Sequence, residues 1–196
     1  MLRALLASVV AIVVSTVVLG FAYPALMTGV AQLTMSHQAN GSLVMRGGKV
    51  VGSSLAAQSF SFPGYFHERP SATSPAYNPG FTTFSNLGPT NPALAQLVKQ
   101  NAAAILKLEG PYNPGLTIHQ IPVDAVVPSG SGIDPQISIA YANLQAKRVA
   151  AVRHLPLATV QQLIKQHTQQ RTFAFFGEPG VNVLELNLAV DQQVSG

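Results

Sequence analysis

In residues 129–138, SGSGIDPQIS, two serines, two glycines and an aspartate at 129–134 stand ahead of an apolar-periodic run. Backbone N–H groups at such a loop could cradle an anion, and Ser131 between Gly130 and Gly132 could serve as a nucleophile. A phosphate loop needs G-x-x-x-x-G-K-[ST]. The nearest match, Gly48-Lys49, has Leu43 in place of the first glycine and Val50 in place of the hydroxyl residue. A serine hydrolase needs the nucleophile on a sharp elbow and a histidine oriented by a carboxylate. The G-x-S-x-G elbow is not formed, and His37, His67, His119, His154 and His167 are scattered singly.

Metal and acid–base chemistry find no stronger footing. No H-x-H or H-x-x-x-H pair is present, and Glu68, Glu109, Asp124, Asp134, Glu178, Glu185 and Asp191 show no paired spacing. The chain has no cysteine, which excludes disulfides and thiolate sites. The remaining reading of 129–138 is capping. Asp134 before Pro135 is expected to start a helix, its carboxylate accepting N–H bonds while proline fills the first turn. Asn91-Pro92 repeats the same device.

The elements that must hold these residues begin with an anchor. Residues 5–27 carry no charged side chain, and 23 helical residues span roughly 34 Å, enough for a bilayer core about 30 Å thick. Residues 1–30 therefore read as a transmembrane anchor, with cleavage after Gly20-Phe21-Ala22 as the alternative. Arg3 precedes the span and the next charge of either sign is Arg46, so the positive-inside rule predicts a cytoplasmic N-terminus and an extracytoplasmic remainder. Ala4, Ser8, Ala11, Ser15 and Ala22 form a stripe of small residues on which a partner helix could pack.

Residues 31–196 are expected to form one α+β domain with a small sheet and about three helices. Gly47-Gly48 predicts a hairpin joining 43–46 to 49–52. Helical patterns start at Asn91-Pro92, at Asp134-Pro135 and at 158, and 181–191 reads as a strand with Leu184, Leu186 and Leu188 on one face. Between them, residues 60–92 hold six prolines and three glycines without periodicity, yet also half of the chain's aromatic residues. Such a segment is expected to be an ordered loop. Tyr65, Phe66, Arg69, Tyr77, Phe81 and Phe84 are its candidate partner-facing residues.

Charge is sparse. Asp, Glu, Lys and Arg make up 9% of residues against about 25% in an ordinary soluble domain, with a net charge of +4. The basic residues form no contiguous stripe, which argues against nucleic acid.

The segments GYFHERPSA (64–72), SNLGPTNP (85–92), SGSGIDPQIS (129–138) and NVLELNLAVD (182–191), in this order behind one membrane helix, closely resemble the C subunit of the Kdp potassium-transporting ATPase. The resemblance implies a non-catalytic subunit of a bacterial inner-membrane K⁺ pump. Its implied partners are a K⁺-binding channel-like subunit and an ATP-hydrolysing P-type subunit. ATP and K⁺ would be handled by the complex, with no cofactor held by this chain directly. It also implies a catalytic-chaperone role that raises the ATP affinity of the hydrolytic subunit. The D-K-T-G phosphorylation motif is absent, in keeping with that role. The readings that compete with it are an anchored extracytoplasmic serine hydrolase and an independent binding module.

Overall fold

The computed structural model describes residues 1–194. Contacts divide the chain into two compact units, Met1–Leu43 and the remainder from Val44.

The first unit is one long apolar helix and a short turn. Helix α1 (Leu2–Ser15) runs through π-helical turns at Thr16–Ala22 into α2 (Tyr23–Thr34), 33 residues without a buried position. The widened turns sit ahead of Pro24 for a physical reason. Proline lacks an N–H and its ring crowds the carbonyl four residues back, which here belongs to Gly20. Tyr23 N–H accordingly bonds to Val18 O, five residues back, and the helix continues through the proline. Ser8 Oγ donates to Ala4 O at 2.9 Å, so its hydroxyl is satisfied inside the helix. Met35, with φ −146°, ends α2, and α3 (Ser36–Ala39) folds back so that the Asn40 and Gln32 side chains bond at 3.2 Å.

The second unit opens with the hairpin of β1 (Leu43–Arg46) and β2 (Lys49–Ser53). Gly47 and Gly48 both have positive φ, +56° and +75°, the conformation a two-residue turn of this type requires. Residues 60–91 form an irregular belt without helix or strand. Helix α4 (Pro92–Glu109) follows, its N-terminus capped by Asn91, whose Oδ1 accepts from Ala93 N–H at 2.9 Å.

Two expectations are corrected here. The helix anticipated from Asp134 begins instead at Ile139: β3 (Gln136–Ile137) intervenes, and Ser138 is the cap of α5 (Ile139–Arg153), its Oγ accepting from Tyr141 N–H at 3.0 Å. Asp134 thus does not cap the helix. Its Oδ1 accepts from Gln136 N–H at 3.1 Å, a local turn that leads into the strand. The second correction concerns 181–191. Only β5 (Gly180–Asn182) is extended, and α7 (Val183–Val194) is helical. The leucines alternate, but Val183, Leu186, Asn187 and Val190 also fall at helical spacing. All four are buried, together with Leu184 and Ala189. Asn182 Oδ1 accepts from Glu185 N–H at 3.1 Å and starts the helix.

Helix α6 (Leu157–Gln166) and β4 (Thr168–Gln169) complete the domain. The sheet is antiparallel in the order β3-β5-β4, with Ile137 opposite Val181 and Thr168 opposite Val181 on the other side. The core gathers Ile105, Ile137, Tyr141, Val149, Val160, Ile164, Val181, Leu186 and Val190 around α5. With α4, α5, α6 and α7, the mixed α+β architecture has one helix more than the sequence pattern suggested.

Candidate functional site

Helix α5 exposes only a stripe at its start and at Asn143, Lys147 and Ala151, and its enclosed residues include Gln145 and Arg148. Neither polar head can be left unpaired at that depth. Arg148 Nε donates to Glu109 Oε1 at 2.8 Å, with both side chains fully enclosed. Its Nη1 donates to the carbonyls of Pro63 and Tyr65, and its Nη2 to Gln145 Oε1 at 2.8 Å. Gln145 in turn accepts from His67 N–H at 2.7 Å and donates to His67 O at 3.0 Å. Asn187 of α7 does the same for Phe66, at 2.7 and 2.9 Å. Residues 63–67 therefore form a strap that leaves a turn and whose backbone pairs with side chains of α5 and α7 instead of with a sheet.

The aromatic residues of the belt separate into two groups. Phe66 is fully buried, so it packs the core and offers nothing to a partner, contrary to expectation. The half-buried Tyr65 has its ring 4.4 Å from the Arg153 guanidinium and its hydroxyl 3.0 Å from Asp191, which also binds Arg153 and Arg46. Arg69 pairs with Asp134 at 3.0 Å, and Tyr77 donates its hydroxyl to Arg69 O. Phe81 and Phe84 remain exposed, at 62% and 54%.

A second aromatic cluster has no counterpart in the sequence reading. Phe173, Phe175 and Phe176 are 80%, 67% and 58% exposed on a tight turn closed by Thr172 and Phe176. The rings of Phe175 and Phe176 stand 4.2 Å apart. The visible signal was TFAFFGEP, where three phenylalanines fall within four positions ahead of a Gly and a Pro.

Loop 129–134 is a junction between segments. Ser129 Oγ accepts from Gly132 N–H at 2.9 Å, Ser71 Oγ donates to Gly132 O at 2.6 Å, and Thr83 N–H reaches Ser131 O at 3.1 Å. Gly132 has φ +72°, and a Cβ there would stand 2.8 Å from Thr83 O, so only glycine fits. Ser131 Oγ accepts from Ile133 N–H at 3.2 Å. That is a turn contact, whereas a nucleophile needs a base at its oxygen. His67 bonds to Phe62 O, and burial with the nearby Arg148 charge pushes its imidazole down to about 4, so it is neutral at physiological pH. Among the described residues no cluster of three or more His, Asp or Glu is arranged to hold a metal.

In the anchor, Ala4, Ser8, Ala11 and Ser15 keep α-helical spacing. The π-helical turns separate Ser15 from Ala22, so a spacing of seven across them no longer closes two α-helical turns.

One apolar helix of spanning length ahead of an α+β domain is the build of a membrane-anchored protein. The family model for the K⁺-transporting ATPase c chain, KdpC, matches residues 5–192, and the chain belongs to that family. It is 50% identical over 180 residues to the "Potassium-transporting ATPase KdpC subunit" of Acidobacterium capsulatum, covering 92% of this chain and 93% of that protein. The protein of the same name from Herpetosiphon aurantiacus is 51% identical over 183 residues, covering 93% and 92%. That from Sorangium cellulosum is 49% identical over 192 residues, covering 97% and 98%.

Proposed function

We propose that this chain is a non-catalytic accessory subunit of an ATP-driven potassium-uptake pump in a bacterial inner membrane, with its domain on the extracytoplasmic face. The family match along nearly the whole chain carries this reading. The motifs behind the likeness support the non-catalytic part. Residues 64–72 are held by Arg148, Gln145 and Asn187, residues 129–138 join loops, and Asn182 starts α7. These three motifs work as structural joints, and Asn91 of the fourth caps α4.

Arg3 ahead of the apolar helix and the absence of any charge until Arg46 favour a cytoplasmic N-terminus. A domain on the far side of the membrane cannot touch cytoplasmic ATP. A chaperone effect on the ATP affinity of a hydrolytic subunit must then pass through the anchor or through a K⁺-binding channel-like subunit. Docking falls to the exposed phenylalanines, Phe81 and Phe84 together with Phe173, Phe175 and Phe176, because large apolar side chains left in water are typical of partner-binding surfaces. The test is co-purification from membranes. The full chain is expected to bring down an ATPase with K⁺-stimulated activity, and a chain lacking residues 1–34 to bring down less. Recovery of the full chain alone from mild detergent contradicts the reading.

A further inference from the structure

Glu68 is 4% exposed, and neither carboxylate oxygen meets a hydrogen-bond partner of good geometry, although the backbone of Gln58 is close enough to favour its charged form. Buried carboxylates in folded proteins are normally paired or bonded. The arginines around this one are engaged elsewhere: Arg69 with Asp134, Arg148 with Glu109, Arg153 with Asp191. Glu68 lines a cavity of about 300 Å³ together with Phe60, His67, Tyr77, Asn101 and Tyr141. A carboxylate lacking a cation, beside aromatic rings, is the composition that binds ammonium groups, the charge meeting the carboxylate and ring faces while the alkyl stem lies on apolar walls.

We propose that this cavity is a binding site for an ammonium group on an alkyl stem, with Glu68 as its counter-ion. An inorganic cation is less suited, since it takes about six or more oxygen ligands. The cavity supplies one carboxylate, and much of the rest of its lining is apolar, with Phe60, Pro70, Ala104, Ile105 and Leu108. The ammonium comes either from a free amine or from a lysine side chain of another protein, and the chemistry at Glu68 is the same.

The charged and titratable groups around Glu68 are Asp134, Tyr77, Tyr141 and the neutral His67, with Arg69 paired to Asp134 through Nη1 and its Nε left without a partner. Arg69 is the cation among them, and its ion pair is with Asp134. Burial, with Asp134 adding, pushes the Glu68 carboxyl up to about 9, so an arriving ammonium displaces one proton. Binding therefore tightens with pH, by about tenfold per unit while one proton is released.

The experiment titrates n-butylammonium into the full-length protein in detergent by calorimetry, from about pH 7 to about pH 9. It needs no pump subunit, so its result is independent of the function proposed above. Saturable binding that strengthens with pH and is lost in Glu68→Gln is expected. A second arm treats membranes containing the assembled protein with a carbodiimide and seeks an amide between Glu68 and a lysine by mass spectrometry. Binding without the cross-link assigns a free amine, and the cross-link assigns a protein side chain. The proposal is overturned if neither is seen, if wild-type binding ignores pH, or if Glu68→Gln binds equally well.

Discussion

Arg148 Nε stands 2.8 Å from Glu109 Oε1 with both side chains sealed from solvent, and the same guanidinium holds the backbone of the strap at Pro63 and Tyr65. This places the junction between α4, α5 and the irregular belt on one charged group. Burial pushes the Glu109 carboxyl up, and the Arg148 charge and hydrogen bond oppose that. Taking Arg148 away leaves a buried carboxylate and two carbonyls without their donor. Arg148→Met is expected to cost about 3–5 kcal/mol, read as a lower denaturant midpoint. Adding Glu109→Leu should restore part of that loss, because the pair then disappears together.

Helix α5 offers a direct comparison of two start residues. Ser138→Ala removes the bond to Tyr141 N–H and the contact with Asp124, at 2.9 Å, and should cost about 1 kcal/mol or somewhat more. Asp134→Asn keeps an acceptor for Gln136 N–H and weakens only the partly exposed pair with Arg69. Its cost should stay below about 1 kcal/mol. Chemical denaturation of the two variants ranks them, and the reverse order contradicts the assignment of Ser138 as cap.

Glu68 makes stability depend on pH in a predictable direction. Its folded carboxyl is pushed up to about 9 from an ordinary 4.5, so between these values the folded chain holds a proton that the unfolded chain has lost. The associated stability is complete below about pH 4.5 and falls as pH rises toward 9. His67, pushed down to about 4 from 6.5, acts in the opposite sense at lower pH, so the comparison belongs above about pH 6.5. There, the melting temperature of wild type should fall with pH more steeply than that of Glu68→Gln. Parallel curves would contradict a buried, protonated Glu68.

The exposed phenylalanines separate docking from folding. Replacing Phe173, Phe175 and Phe176 by serine removes side chains that are mostly in water, so stability should change by no more than about 0.5 kcal/mol per site. Recovery of pump partners with the triple variant should drop, as it should for Phe81→Ser with Phe84→Ser. Unchanged recovery from both variants, at unchanged stability, contradicts docking through these residues.

Much of this was legible in the sequence, and the failures have common causes. The anchor, the hairpin at Gly47-Gly48 and the Asn91 start of α4 each depend on local chemistry, which a sequence displays. Residues 181–191 misled because the alternating leucines overlie a second pattern at helical spacing, Val183, Leu186, Asn187 and Val190, and only packing against the rest of the domain decides between the two. Asp134 misled because a cap and a turn use the same carboxylate-to-N–H bond, and Arg69 lies 65 positions away. The clamp of Arg148, Gln145 and Asn187 on residues 63–67 was invisible for a similar reason. Its partners are backbone groups far along the chain, and backbone groups leave no sequence signature.

The orientation of the domain is the central claim, and the chain's lack of cysteine makes it directly measurable. Val123→Cys places a single thiol at a position 73% exposed. In intact spheroplasts expressing this variant, a membrane-impermeant maleimide should label the protein as fully before lysis as after. Labelling only after the membrane is opened would put the domain in the cytoplasm and contradict the account.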